Sequence, residues 1–266
     1  MLRNLAAAHA RSLGRLRALQ IASTRTTDRA RALSTQAACC STPAAKRCDF
    51  FCASCGALQP AHGAACNDYE LLALPVAFRV DARALEARWK ALQKQLHPDR
   101  FAATGGAEAQ ERSAAHATRV NEAYARLRAP HTRARYLLRM HALARAQGAS
   151  ADGADGGRLP HPDMGDGDGG ARDDPDGDPF AEGRTVADPA LLMEVMEARE
   201  AVGDAEGDAD ALAALAARNR GAVAETEAAL GDAFDGGGGP DLDAARAAAV
   251  RLQYLTKIGE EINERL

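Results

Sequence analysis

The chain is poor in aromatic residues: only 4% of its 266 residues are Phe, Trp or Tyr, and Trp89 is the single tryptophan. Sandwiches and barrels lean on aromatic and β-branched side chains, so this scarcity disfavours them and favours helices with cores of Leu and Ala. No apolar run reaches the roughly eighteen residues that a membrane-spanning helix needs. Cysteine is missing after Cys66, and Asp28 is the only acid before Asp49. The first absence argues against scattered core thiols, and the second marks off a basic leader. The remaining composition, 46% hydrophobic and 26% charged with a formal net charge of −4, is ordinary for a soluble helical protein.

The leader carries seven Arg before Lys46 and Arg47, with many Ala, Ser and Thr. Leu2, Leu5, Leu13, Leu16 and Leu19 can share one face of a basic amphipathic helix. This is the composition of a transit peptide, and it lacks the continuous apolar core of a secretory signal. A disordered basic tail and a nucleic-acid-binding arm are the alternatives, and the leucine spacing argues against the latter. We assign residues 1–40 to the transit peptide, with cleavage between Leu33 and Ala45.

All six cysteines, Cys39, Cys40, Cys48, Cys52, Cys55 and Cys66, fall in one short window. In a reducing organelle such clusters hold metal more often than disulfides. Cys52 and Cys55 form a C-x-x-C knuckle followed by Gly56, which permits the tight turn that lets two thiolates grip one zinc ion. Two more ligands would come from Cys39 or Cys40 with Cys48 upstream, or from His62 and Cys66 downstream; we take Cys39 and Cys48. The run from Cys48 to Cys55 also has the iron–sulfur spacing of radical enzymes, but the rest of the chain lacks the βα alternation those enzymes require. Residues 41–66 are therefore a candidate zinc knuckle, and no other cofactor is expected.

Residues 67–147 read as a helical hairpin. Asn67 caps a short helix that Pro75 closes, with Tyr69, Leu72 and Leu74 able to reach a core. Asp81 caps a second helix, in which Leu85, Trp89, Leu92 and Leu96 fall on one stripe. Arg83, Arg88, Lys90 and Lys94 lie off it. Pro98 stops that helix at His97-Pro98-Asp99, because proline removes an amide donor and pushes its predecessor out of the helical region. A third helix runs from about Ala107 to Leu127, with Val120, Tyr124 and Leu127 facing the second. After Pro130 another helical run begins, TRARYLLRMHA.

A basic amphipathic helix stopping at His-Pro-Asp before a helix bearing Asn121, Ala123 and Tyr124 resembles the J-domain of DnaJ-type co-chaperones. That resemblance implies contact of His97, Pro98 and Asp99 with an ATP-loaded DnaK-type chaperone, and of Arg83, Arg88, Lys90, Lys94 and Arg100 with its acidic surface. An enzyme is not expected: His97 and Asp99, two positions apart around a proline, are not oriented as an acid–base dyad, and no nucleophile accompanies them.

Residues 148–187 are crowded with Gly and Asp and have no apolar period, so they read as a disordered insertion. An EF-hand is excluded, since no closing Glu follows Asp166-Gly167-Asp168 at the required place. Residues 188–266 read as three amphipathic helices with short connections, an antiparallel bundle. Leu191, Val195, Ala198 and Val202 form the expected core stripe of the first. Leu192, Met193 and Met196 lie on the opposite side, merging with Glu197, Glu200 and Asp204, and make a candidate partner surface. In the last helix Leu252, Leu255, Ile262 and Leu266 form one side, with Tyr254 turned away.

The series FFCASCGALQP, DYELLAL, LQKQLHPDRF, VNEAYARLRAPHTRARYLLRMHAL, LLMEVMEAREAV and LQYLTKI resembles the HscB type of J-protein, the co-chaperone of iron–sulfur cluster assembly. The resemblance implies that Leu192, Met193, Met196, Glu197, Glu200 and Tyr254 contact the scaffold protein on which clusters are built. It also implies a mitochondrial matrix location, with a plastid as the alternative, and no nucleic-acid or membrane partner. Two departures stand out: animal-type members carry two C-x-x-C pairs where this chain has one, and the insertion is longer than the family needs. A J-protein for another organellar client, or a zinc-knuckle interaction protein with a non-stimulatory J-fold, are the alternative functions. The fold expected is all-α: a J-domain hairpin followed by an antiparallel three-helix bundle, with a candidate N-terminal zinc knuckle.

Overall fold

A computed structural model of the chain describes residues 48–52, 56–60, 66–102, 106–147, 159–162 and 188–266. The described residues fall into two compact units divided after residue 61. In the first, Phe51 and Leu58 form an isolated antiparallel bridge. The Cys52 amide donates to Ala57 O at 2.8 Å, and the Gly56 amide to Cys52 O at 2.8 Å. The transit-peptide assignment lies outside the described residues.

The second unit is helical throughout its described secondary structure. Helix α1 (Asp68–Leu71) begins at Asn67, whose side chain accepts from the Glu70 amide while Glu70 reaches back to the Asn67 amide. Tyr69 and Leu72 are buried as expected, and so is Leu71; Leu74 is half-buried. Helix α2 (Ala82–Gln95) starts at Asp81, which accepts from the Arg83 and Ala84 amides. Its stripe buries Leu85 and Leu92 and continues to Leu96, with Trp89 half-buried.

After Pro98 the chain forms a short helix, α3 (Asp99–Ala102), and then α4 (Gly106–Arg128) and α5 (Pro130–Ala146). Helix α4 packs antiparallel against α2 through Val120, Ala123 and Leu127, all fully buried. Burial of the Val120 and Leu127 side chains is worth about 1.5–3 kcal/mol each. Ala129 precedes α5 in extended conformation, and Pro130 sits in the first turn, where its missing amide has no helical partner to lose.

The bundle consists of α6 (Pro189–Asp204), α7 (Ala209–Asp235) and α8 (Leu242–Arg265), each opened by an aspartate that accepts an amide of the first turn. Leu191, Val195 and Val202 of α6 meet Leu212 and Ala216 of α7 and Ile258 and Ile262 of α8 in one core. Leu266, expected on the apolar side of the last helix, is exposed: it caps α8, its amide donating to Ile262 O, one turn past the last buried position at Ile262.

The hairpin and the bundle are joined by specific contacts. Asp235, at the end of α7, accepts the Phe78 amide on Oδ1 and the Arg79 amide on Oδ2, both at 2.9 Å. Phe78 stacks on Phe234 at 5.9 Å between ring centroids, and His141 of α5 lies against the same ring.

One stretch of the insertion departs from the disordered reading. Leu159 to Pro162 lie against the hairpin: Leu159 O accepts from Asn67 Nδ2 at 2.9 Å, and His161 Nδ1 is 2.9 Å from the Tyr136 hydroxyl. Leu159 and the two prolines flanking His161 supply an apolar, conformationally restricted tetrapeptide amid Gly and Asp. The rest of the insertion lies outside the described residues.

Candidate functional site: the His-Pro-Asp tip and the outer face of the bundle

The hairpin tip is held from beneath. Leu96 is buried, and its carbonyl accepts a 2.5 Å hydrogen bond from Ser113 Oγ of α4. This ties the last residue before the tip to the facing helix. Two helical turns further into the hairpin body, Asn121 Oδ1 accepts from both Trp89 Nε1 at 2.9 Å and Gln93 Nε2 at 2.5 Å. Trp89 and Tyr124 stack at 4.5 Å with planes 13° apart. The stripe expected to face α2 therefore does so, with polar bonds fixing its register.

His97 and Asp99 themselves project into solvent, their side chains 58% and 89% exposed. His97 Nδ1 lies 3.5 Å from Asp99 Oδ2 but accepts the Asp99 amide at 3.3 Å, so that nitrogen carries no proton for the carboxylate and the two do not form an acid–base dyad. Their approach comes from the turn that opens α3, in which Arg100 N donates to His97 O and folds Asp99 back over the ring. Neither residue is buried, and the two form an exposed polar knob at the tip.

The basic residues predicted beside it, Arg83, Arg88, Lys90, Lys94 and Arg100, are all exposed. Lys90 is tied to Glu86 at 2.7 Å one turn away, and that hydrogen bond raises the lysine pKa and lowers the glutamate's. Arg100 Nη1 reaches back to Lys94 O at 3.2 Å, so its charge stays next to the tip.

On the bundle, Leu192, Met193 and Met196 are 44%, 62% and 63% exposed, while Leu191 and Val195 between them are core. Glu197 and Glu200 are exposed on the same helix. Tyr254 is half-buried and packs against the three-helix core, so it is less turned away than its spacing suggested. Helix α6 is braced on α8 by Glu194 with Arg251 at 2.7 Å and by Arg199 with Glu261 at 3.7 Å.

The hairpin's polar heart was not foreseen. Asp68 is fully buried, and its carboxylate takes Arg119 Nη2 at 2.7 Å and Arg126 Nε at 2.6 Å. Tyr136 hydroxyl accepts the Asp68 amide at 2.8 Å. Burial opposes the charge on Arg126, yet its hydrogen bond and attraction to Asp68 lift its pKa. Burial likewise pushes the Tyr136 and Tyr69 hydroxyls well above the usual phenol range. Ser113 was also missed, although its signal was there: with His116 it occupies polar positions on the Val120, Ala123, Leu127 stripe.

Of the four proposed zinc ligands, Cys52 is a reduced thiol, Cys48 is taken up in a disulfide and so is not available as a thiolate ligand in this structure, and Cys39 and Cys55 lie outside the described residues. Gly56 adopts φ +70°, the left-handed conformation that glycine takes without strain, and its amide closes on Cys52 O. Among the described residues no helix is long and apolar enough to cross a membrane.

A helical hairpin with an exposed His-Pro-Asp knob, a basic flank and an attached three-helix bundle defines a J-domain co-chaperone. Comparison with known proteins narrows this class. Residues 187–263 match the family described as the HSCB C-terminal oligomerisation domain. The chain is 36% identical over 200 residues to a co-chaperone protein HscB homolog of Azoarcus sp. (strain BH72), covering 74% of this chain and 92% of that one. It is 36% identical over 204 residues to the HscB homolog of Burkholderia multivorans, covering 75% and 94%. The human co-chaperone protein HscB superposes with a TM-score of 0.58 at 26% identity, over 81% of this chain and 89% of that one. HscB of Vibrio cholerae gives a TM-score of 0.52 at 25% identity, over 75% and 96%. The chain belongs to the HscB family of co-chaperones, which are not enzymes.

Proposed function

We propose that the protein acts in iron–sulfur cluster biogenesis: it binds the cluster scaffold protein through α6, delivers it to a DnaK-type chaperone and stimulates that chaperone's ATPase through His97, Pro98 and Asp99. The observation that carries this reading is the outward Leu192, Met193 and Met196, three large apolar side chains left in solvent on a helix whose other stripe already fills the core. Glu197, Glu200 and Tyr254 extend that surface. The exposed charge of Arg83, Arg88, Lys90, Lys94 and Arg100 suits a transient encounter steered by electrostatics. With scaffold and chaperone held on one chain, their meeting becomes effectively intramolecular.

The test is a pull-down with purified scaffold protein, comparing wild type with Leu192→Ala/Met196→Ala; equal binding by both refutes the surface. In parallel, His97→Gln is expected to keep the fold and abolish ATPase stimulation. Unaltered stimulation removes the trigger from the proposal.

We also propose a mitochondrial matrix location, with a plastid as the alternative, on the basic, leucine-spaced leader of residues 1–40. Import of a leader fusion into isolated organelles decides between them. A structural zinc at Cys39, Cys48, Cys52 and Cys55 belongs to the same proposal; it requires the Cys48 disulfide to be reduced and rests on the glycine-permitted turn after Cys52. Metal analysis of purified protein, wild type against Cys52→Ser, tests it.

A further inference from the structure

At the base of the hairpin, far along α2 from the His-Pro-Asp tip, lies a pocket of about 440 Å³. Leu85, Trp89 and Tyr124 supply its apolar wall, and Arg128 and Arg133 its cationic one. Glu86 also borders it, but that carboxylate is engaged by Lys90 at 2.7 Å. The size is within the range of small-ligand and side-chain pockets, and the mixture of a stacked aromatic pair with convergent cations is that of a site with chemical preference.

Arg133 is the unusual member. It is only 9% exposed, its Nη1 donates to Leu127 O at 2.5 Å, and its guanidinium carbon lies 4.9 Å from the Phe78 ring centroid. Its Nε has no hydrogen-bond partner, and the carboxylates of Glu227 and Asp235 attract it from a distance without forming an ion pair with it among the described residues. Burial accordingly holds its pKa below the ordinary arginine value. A desolvated cation with no acid in direct contact is costly, and buried arginines are ordinarily paired. Arg128 stands nearby with its guanidinium 6.0 Å from the Tyr124 ring centroid, adding a second fork to the same wall. A planar guanidinium matches a carboxylate in geometry as well as charge.

We propose that this pocket is a docking site for an acidic peptide segment of a protein partner, with a glutamate or aspartate carboxylate placed between Arg128 and Arg133 and a neighbouring apolar side chain laid on the Trp89–Tyr124 stack. The site is separate from the tip and from the outer face of α6, and it does not depend on the function proposed for either.

Because Trp89 is the chain's only tryptophan, its emission reports on this pocket directly. The probe is the peptide acetyl-Leu-Glu-Glu-Leu-amide, titrated into the full-length protein beside its glutamine counterpart, free succinate and inorganic phosphate. The expected result is a saturable change in Trp89 emission with the acidic peptide, about tenfold weaker binding in Arg128→Gln, and a comparable loss in Arg133→Lys, which keeps the charge and loses the fork. Far-UV circular dichroism establishes that both variants are folded. Absence of a saturable response, an equal response to the glutamine peptide, or undiminished binding in Arg128→Gln overturns the proposal. Phosphate binding as tight as the peptide's also overturns it, as the mark of a generic anion site; succinate alone binding as well would reassign the site to free dicarboxylates.

Discussion

Arg79 lies across Gly231 so closely that a Cβ at the glycine would sit 2.5 Å from the guanidinium carbon. The bare helix surface at Gly231 lets Arg79 reach Asp232 Oδ1 at 2.6 Å and Ala228 O at 3.3 Å. Hairpin and bundle are thus brought together where α7 has no side chain to hold them apart.

Gly231→Ala forces that guanidinium to swing away. The exposed ion pair it abandons is worth under about 1 kcal/mol, and the alanine returns about 1 kcal/mol of helix propensity. The expected change in unfolding free energy is therefore within about 1 kcal/mol. Asp235→Ala, which strips the acceptor from two backbone amides at once, is expected to cost about 2 kcal/mol. Urea denaturation of the two variants side by side checks the order; equal effects would mean that the Arg79 guanidinium holds the interface as strongly as Asp235 does.

Asp68→Asn is expected to be the most damaging of the polar substitutions. It leaves Arg119 and Arg126 facing each other across a neutral amide in a buried site, at a cost of about 3 kcal/mol. Thermal unfolding should show a lowered midpoint, and salt should restore little of it, because the site is shielded from solvent ions.

Ser113→Ala removes the hydroxyl donor to Leu96 O and should cost about 1 kcal/mol. Its effect is local: amide hydrogen exchange should quicken from Leu96 through Phe101 and stay unchanged in the bundle.

Acidification should loosen the hairpin and its junction with the bundle. Burial depresses the pKa of both His131 and His141 below the usual 6.5. As pH falls below that value the unfolded chain takes up protons that the folded one refuses, so stability falls until the depressed folded pKa is reached. Between pH 7 and pH 5 the unfolding midpoint of wild type should drop more than that of His131→Gln/His141→Gln.

Local features were legible in the sequence. Asn67 and Asp81 announced the helix starts, the spacing of Leu85, Leu92 and Leu96 announced the buried stripe of α2, and Pro98 announced its end. The outward Leu192, Met193 and Met196 were readable because one helix carried more apolar residues than one core face can use. The hidden features were the long-range ones. Phe78 and Asp235 are 157 positions apart, and nothing in either neighbourhood specifies the other. Asp68 looked like an ordinary acid in a first helical turn, since periodicity reports which face a residue occupies and says nothing of which cations converge on it. His161 sat in a Gly/Asp stretch whose overall composition masked an apolar tetrapeptide.

The grip of Asp235 on the Phe78 and Arg79 amides bears on how the insertion can vary. A tether sets the encounter rate of what it joins by its length, whereas here the distance from the His-Pro-Asp knob to α6 is set by packed helices. The molecule is a ruler, and its length is fixed by the packing of hairpin on bundle. Changes in the length of the insertion that spare Leu159 to Pro162, which bond Asn67 and Tyr136, should leave that distance unaltered.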